Sequence, residues 1–141
     1  MSLSPFHLAI PVIDLEKTKQ FYLDYLGCSL GRSSSSWVDL NFFGHQLVLH
    51  KVAETTETEN HNQVDGQEIP VPHFGVVLDW EVWQQLSERL KTLKMRFVVE
   101  PYIRFAGKVG EQATFFFYDP SGNALEFKAF KNPDQLFAHS K

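Results

Sequence analysis

Residues 119–128 read DPSGNALEFK, and the glutamate in this stretch decides how the rest of the chain is read. Asp119-Pro120-Ser121-Gly122-Asn123 has the chemistry of a reverse turn, because proline presets φ and glycine or asparagine accepts a positive φ. The spacing beyond it predicts a strand. Leu125, Phe127 and Phe130 form its apolar set, and Ala124, Glu126 and Lys128 take the opposite face. On a solvent face Glu126 would require no explanation. On an inward face it requires a partner, since an uncompensated buried carboxylate is costly.

Composition limits what that partner can be. The 141 residues are 43% hydrophobic, 21% charged and 14% aromatic, which predicts about one globular domain with a real core. A formal net charge of −4 and a pI near 5.8 give no footprint for nucleic acid, and no basic run favours an anionic membrane. Cys28 is the only cysteine, so neither an internal disulfide nor a thiolate metal cage is available. The opening MSLSPFHLAI lacks a basic segment followed by a long apolar one, and no window approaches 18 continuous apolar residues. The expected setting is the cytoplasm, with a small molecule as partner.

Working outward from the turn, the chain repeats itself. A polar, acidic stretch, AETTETENHNQVDGQEIPV (53–71), is the expected linker. Before it come FHLAIPV (6–12), a helix candidate DLEKTKQFYLDYLG (14–27), SSWVDLNFF and GHQLVLHKV. After it come HFGVVLD (73–79), a helix candidate EVWQQLSERLKTLK (81–94), RFVVEPYI, EQATFFFYD and NALEFKAF. Both halves read as βαβββ, with the middle strands of the first half less distinct. The expected organisation is a first module over about 4–52, the linker, a second module over about 72–131 and a tail at 132–141. Asp14 is placed to N-cap the first helix and Gly27 to close it in the left-handed region, while each helix carries an apolar stripe for covering a sheet.

Superposing the halves aligns His7 with His73, each opening a strand, and the turn glycines Gly44 and Gly122. Counting on, Val48 falls opposite Glu126. Four equivalent inward positions are therefore held by His, Val, His and Glu. Taken singly, each is an ordinary residue: a strand histidine is usually a hydrogen-bonded core residue and a strand glutamate usually faces water. Three at repeat-equivalent positions shift the reading toward a metal.

Paired βαβββ modules, a strand-initial histidine in each, FYLDYLG ending the first helix and DPSGNALEF before the last strand resemble the vicinal oxygen chelate superfamily. That superfamily includes glyoxalase I, extradiol dioxygenases, fosfomycin-resistance thiol transferases, methylmalonyl-CoA epimerases and bleomycin-binding proteins. The resemblance implies an α+β fold in which two modules form a cup-shaped, partly open barrel around one divalent metal. It implies His7, His73 and Glu126 as ligands, with Val48 replacing the fourth ligand that glyoxalase I and the epimerases keep. Two imidazoles and a carboxylate suit Fe(II), with Mn, Zn or Ni as alternatives, and leave open positions for substrate and dioxygen. The implied activity is that of an extradiol dioxygenase on a catechol-like substrate. A fosfomycin-resistance-like thiol transferase and a bleomycin-type binding protein are the rivals, and the implied assembly is a homodimer.

Other candidates follow from position. His50 shares the inward face with Val48 and is an acid/base candidate or a plain strand-end histidine. Gln46 on the same face ranks lower. Tyr118 and Tyr102 are possible proton donors. Arg104 and Gln112, with Lys108 and Glu111, are positioned for a loop at the mouth of the site, and Lys128 joins Arg104 as a candidate for holding an anionic substrate. His45, His61 and His139 are assigned nothing.

Overall fold

The computed structural model describes residues 3–54 and 60–139; residues 55–59 of the expected linker and 140–141 of the expected tail lie outside the described residues. Its elements run β1 (His7–Val12), α1 (Leu15–Leu26), β2 (Ser29–Ser33), β3 (Trp37–Phe42), β4 (His45–Lys51), β5 (Asn60–Val64), β6 (Gln67–Val71), β7 (Val77–Leu78), α2 (Trp80–Thr92), β8 (Phe97–Arg104), β9 (Gln112–Tyr118) and β10 (Ala124–Phe130). The α+β class and both βαβββ modules expected from the sequence are present. Two compact units result, Met1–Thr58 with Asp119–Asn123, and Glu59–Tyr118 with Ala124–Lys141.

In the first unit the sheet order is β1-β4-β3-β2, with β1 and β4 parallel and the other pairs antiparallel. Asp14 accepts from the Lys17 amide at 3.0 Å to start α1, and Gly27 ends it at φ 70. Thr18, Tyr22 and Leu26, at helical spacing, turn the buried side of α1 onto a core that includes Val12, Val38, Leu40, Leu47 and Leu49. Strand alternation leaves His7, Ala9, Gln46, Val48, Asp39 and His50 on the other face of that sheet.

The second unit repeats the order as β7-β10-β9-β8. Trp83, Leu86 and Leu90 of α2 are buried, and the Trp83 indole N–H donates to the Phe127 carbonyl at 2.9 Å. Phe115, Phe117 and Phe127, all fully buried, stack beneath it with centroids about 6 Å apart. The opposite face presents Glu126, Phe116, Thr114, Lys128 and Tyr118. Phe130 follows the unbroken β9–β10 register onto this Glu126 face, which corrects its expected grouping with Leu125 and Phe127.

Register bears out the repeat. Leu8 pairs with Leu47 in the first sheet, and Phe74 bridges Leu125 in the second, so His7 corresponds to His73 and Val48 to Glu126. Gly44 and Gly122 take matching φ values of 88 and 89.

Three features differ from the sequence reading. HFGVVLD forms a ladder only at Val77–Leu78, with the isolated bridge at Phe74 before it. The backbone between them passes so close to β10 that a Cβ on Gly75 would collide with the Glu126 carbonyl, so this approach requires glycine. Strand β2 is exposed along its length, Leu30 included, with no alternation to reveal it. The expected linker carries the β5–β6 hairpin, in which Ile69 packs with Val99 and Phe116. Among the described residues, no helix is long and apolar enough to cross a membrane.

Candidate metal centre

The second unit brings His73 and Glu126 together. The Glu126 amide donates to the Phe74 carbonyl at 2.8 Å, which sets β10 beside the chain that carries His73. His73 Nε2 lies 3.2 Å from Glu126 Oε1, and the glutamate side chain is only 11% exposed, so it faces inward as expected. Thr114, from the neighbouring strand, donates its hydroxyl to Glu126 Oε2 at 2.6 Å, and Lys128 Nζ stands 3.8 Å from the same oxygen.

The other ring nitrogen of His73 decides the chemistry. Nδ1 lies 2.7 Å from the Pro70 carbonyl oxygen, which can only accept, so Nδ1 carries a hydrogen. In a neutral ring Nε2 then turns its lone pair toward a carboxylate oxygen. Two acceptors at that distance require a cation between them, either a proton that makes imidazolium or a metal ion. Hydrogen bonding to Glu126 raises the His73 pKa above its ordinary value. Burial works to raise the Glu126 carboxyl, but the hydrogen bonds from His73 and Thr114 and the Lys128 charge outweigh it and leave it lowered. Without a metal, both directions favour an imidazolium–carboxylate pair, and a divalent cation would take the place of the proton on Nε2. Imidazole Nε2 held by an Nδ1–H···O=C bond and an inward carboxylate form a donor pair that fits a divalent cation.

The first unit holds the equivalent histidine. His7 Nδ1 lies 2.7 Å from Gln46 Oε1, which likewise only accepts and leaves Nε2 unhydrogenated in the neutral ring. Val48, in the position equivalent to Glu126, is buried and offers no donor atom. Among the described residues, no three His, Cys, Asp or Glu side chains gather to hold a metal ion; His73 and Glu126 are brought together as a pair.

The family description "Glyoxalase/Bleomycin resistance protein/Dioxygenase superfamily" matches residues 4–127. The chain belongs to this superfamily, the vicinal oxygen chelate proteins. A glyoxalase/bleomycin resistance protein/dioxygenase from Alicyclobacillus acidocaldarius is 34% identical over 95% of this chain and 96% of its own, with a TM-score of 0.77. The fosfomycin resistance protein FosX from Listeria monocytogenes shares the fold at 20% identity, over 96% of this chain and 100% of its own, TM-score 0.70. A variant of FosX, solved with Mn(II) and 1S,2S-dihydroxypropylphosphonic acid, superposes at 19% identity and TM-score 0.67, covering 99% and 100% of the two chains. No curated protein matches this sequence.

In this superfamily member the remaining candidates are spread out. Tyr118 lies on the Glu126 face beside Ala124, two strand positions from Glu126. His50 pairs with Pro11 and Trp37, four positions along from His7, about 13 Å. Gln112 and Arg104 pair with each other level with Phe130, four positions from Glu126, also about 13 Å. Gln112 Nε2 donates to the Gly110 carbonyl at 3.3 Å, and Arg104 Nε to Asp65 at 2.6 Å. Tyr102 donates to the same Asp65 at 2.9 Å, and burial followed by that bond pushes its hydroxyl up to about 12. Asp39, Thr114 and the Pro70 carbonyl escaped the sequence reading. Of these, Thr114 and Asp39 carried a signal, because each alternates onto the inward face of its sheet, one strand away from Glu126 and Val48 respectively.

Proposed function

We propose that this chain is a divalent-metal enzyme acting on a small substrate held through two adjacent oxygens, with His7, His73 and Glu126 as ligands. The observation that carries the proposal is the 3.2 Å approach of His73 Nε2 to Glu126 while Nδ1–H is committed to Pro70. A bound metal would act as Lewis acid and template for substrate hydroxyls. The protein's own groups do the positioning. Pro70 and Gln46 orient the two imidazoles, Thr114 orients the carboxylate, and Val48 withholds a fourth donor, so coordination positions stay open to substrate. Tyr118, on the Glu126 face, is the proposed proton donor, ahead of the more distant His50.

The finer reading is dioxygenation of a catechol-like diol on Fe(II), because two imidazoles and one carboxylate form the facial set suited to that metal and to dioxygen. A second reading is favoured by Lys128: its ammonium beside Glu126 suits a substrate with an anionic group, such as the phosphonate diol held by the FosX variant, and hence opening of an epoxide on a small phosphonate by a thiol or water, the new bond to carbon forming as the C–O bond breaks and the oxygen leaving as the hydroxyl. We also propose a homodimer, which light scattering checks against twice the chain mass of 16.3 kDa.

Anaerobic purification and loading with Fe(II), then oxygen uptake against a panel of catechols, tests the first chemistry. Loading with Mn(II) and supplying an epoxyphosphonate with thiol or water tests the second. Failure to bind either metal near one per site overturns the metal-enzyme reading itself.

A further inference from the structure

We infer that Asp39, acting through Gln46, sets the tautomer of His7 and thereby its fitness as a ligand; the inference rests on His7 being a ligand, as proposed above. Gln46 is the only hydrogen-bond partner of His7 Nδ1 among the described residues, at 2.7 Å. A side-chain amide has two ends of similar shape and opposite chemistry. With its oxygen toward His7 it accepts, Nδ1 holds the hydrogen and Nε2 keeps its lone pair. Flipped, it presents an NH2 group, which forces the hydrogen onto Nε2 and blocks that nitrogen from a cation.

The orientation is chosen on the far side of the amide. Gln46 Nε2 points to Asp39 Oδ2 at 3.4 Å, and a carboxylate only accepts. A flipped Gln46 would set its oxygen against the carboxylate, so Asp39 penalises the wrong tautomer of His7 from two hydrogen bonds away. The backbone around Asp39 is arranged to keep it there. β3 pairs with β4 so that Asn41 lies opposite Gln46 and Asp39 opposite Val48, placing Asp39 on the diagonal to Gln46. The β2 register shifts between Leu30 and Ser33, alongside Asp39, and a Cβ on Gly31 would press to 3.1 Å from the Asp39 Cβ. His73 reaches the same tautomer through a main-chain carbonyl, which cannot flip. The first unit uses a reversible group for the same task and adds a second residue to fix it. Asp39 and Gln46 are therefore positioning residues.

The test is ¹⁵N NMR of full-length, metal-free, ¹⁵N-histidine-labelled protein in the neutral-imidazole regime, with Mn(II) titration calorimetry alongside. Wild-type His7 is expected with hydrogen on Nδ1. Asp39→Ala and Gln46→Ala are expected to move hydrogen onto Nε2 and to weaken Mn(II) binding about 10-fold, in the range of lost outer-shell partners. Gln46→Glu, an acceptor at both ends, is expected to restore the Nδ1–H tautomer and the affinity, which a merely structural role would not do. Wild-type hydrogen on Nε2, or a tautomer unmoved in Asp39→Ala and Gln46→Ala, overturns the inference. His7→Ala separates the two layers: unchanged Mn(II) affinity there overturns the ligand reading, whatever the tautomer.

Discussion

The Tyr22 hydroxyl donates to Asp119 Oδ2 at 2.8 Å across 97 residues of sequence, and both residues are buried. Asp119 also accepts from the amides of Ser121 and Asn123 at 2.8 and 3.0 Å and from the Asn123 side chain at 3.0 Å. Asn123 and Ser121 reach on to the Pro11 carbonyl and the Ile13 amide. The turn read first in the sequence is therefore a polar network centred on a buried aspartate within the first unit. Tyr22→Phe is expected to cost about 2 kcal/mol and Asp119→Ala about 3 kcal/mol or more, since the latter strands several donors at once. Urea unfolding checks the order.

The same aspartate gives a pH dependence of known sign. Burial raises its carboxyl above the ordinary 3.8, with the surrounding hydrogen bonds opposing but not cancelling. The folded chain thus holds the proton more tightly than the unfolded one. Its contribution is complete below 3.8 and is lost as pH rises through the folded value. The unfolding free energy of the wild type relative to Asp119→Asn is expected to fall as pH is raised from below 3.8 to above it. A constant difference would contradict this.

Gly75→Ala places a Cβ against the Glu126 backbone carbonyl, which cannot rotate away as a side chain would. The expected cost is about 3 kcal/mol, the upper end for overpacking, together with loss of divalent-metal binding because Glu126 moves. Thermal unfolding and calorimetry report the two effects separately.

Thr114→Val keeps the shape of a buried residue and removes the hydroxyl that Glu126 Oε2 accepts from at 2.6 Å. Mn(II) affinity is expected to fall about 10-fold, and Thr114→Ser to retain most of it. Equal affinities for Val and Ser would show that the hydroxyl does not orient the carboxylate.

Glu126→Gln is expected to leave the fold intact and to lose metal on dialysis, because a neutral amide is a poor ligand for a hard cation. Val48→Glu makes the opposite change at the equivalent position. It buries a carboxylate where the native side chain is 4% exposed, so the metal-free variant is expected to be destabilised and divalent metal to restore its melting temperature. Substrate turnover should be blocked in that variant by the filled coordination position.

Sequence alone determined the elements whose information is local. The caps Asp14 and Gly27, the apolar stripes of both helices, the paired turn glycines and the alternation of β9 and β10 all depend on neighbours a few residues away, so spacing revealed them. The repeat extended that reach, because aligning one half on the other placed Val48 opposite Glu126 before any register was known, and the ladders agree. Tertiary structure decided the rest. The Pro70 carbonyl behind His73, the Thr114 hydroxyl on Glu126 and the Asp39–Gln46–His7 chain join atoms on different strands, and a hydrogen bond between strands leaves no periodic trace in either. Strand β2 escaped because an exposed edge strand has no buried face to impose alternation, and β7 was overestimated because Gly75 serves a close backbone approach instead of a ladder. Side-chain type and spacing carry the donors, but the direction in which each donor points is set by contacts the folded chain alone creates.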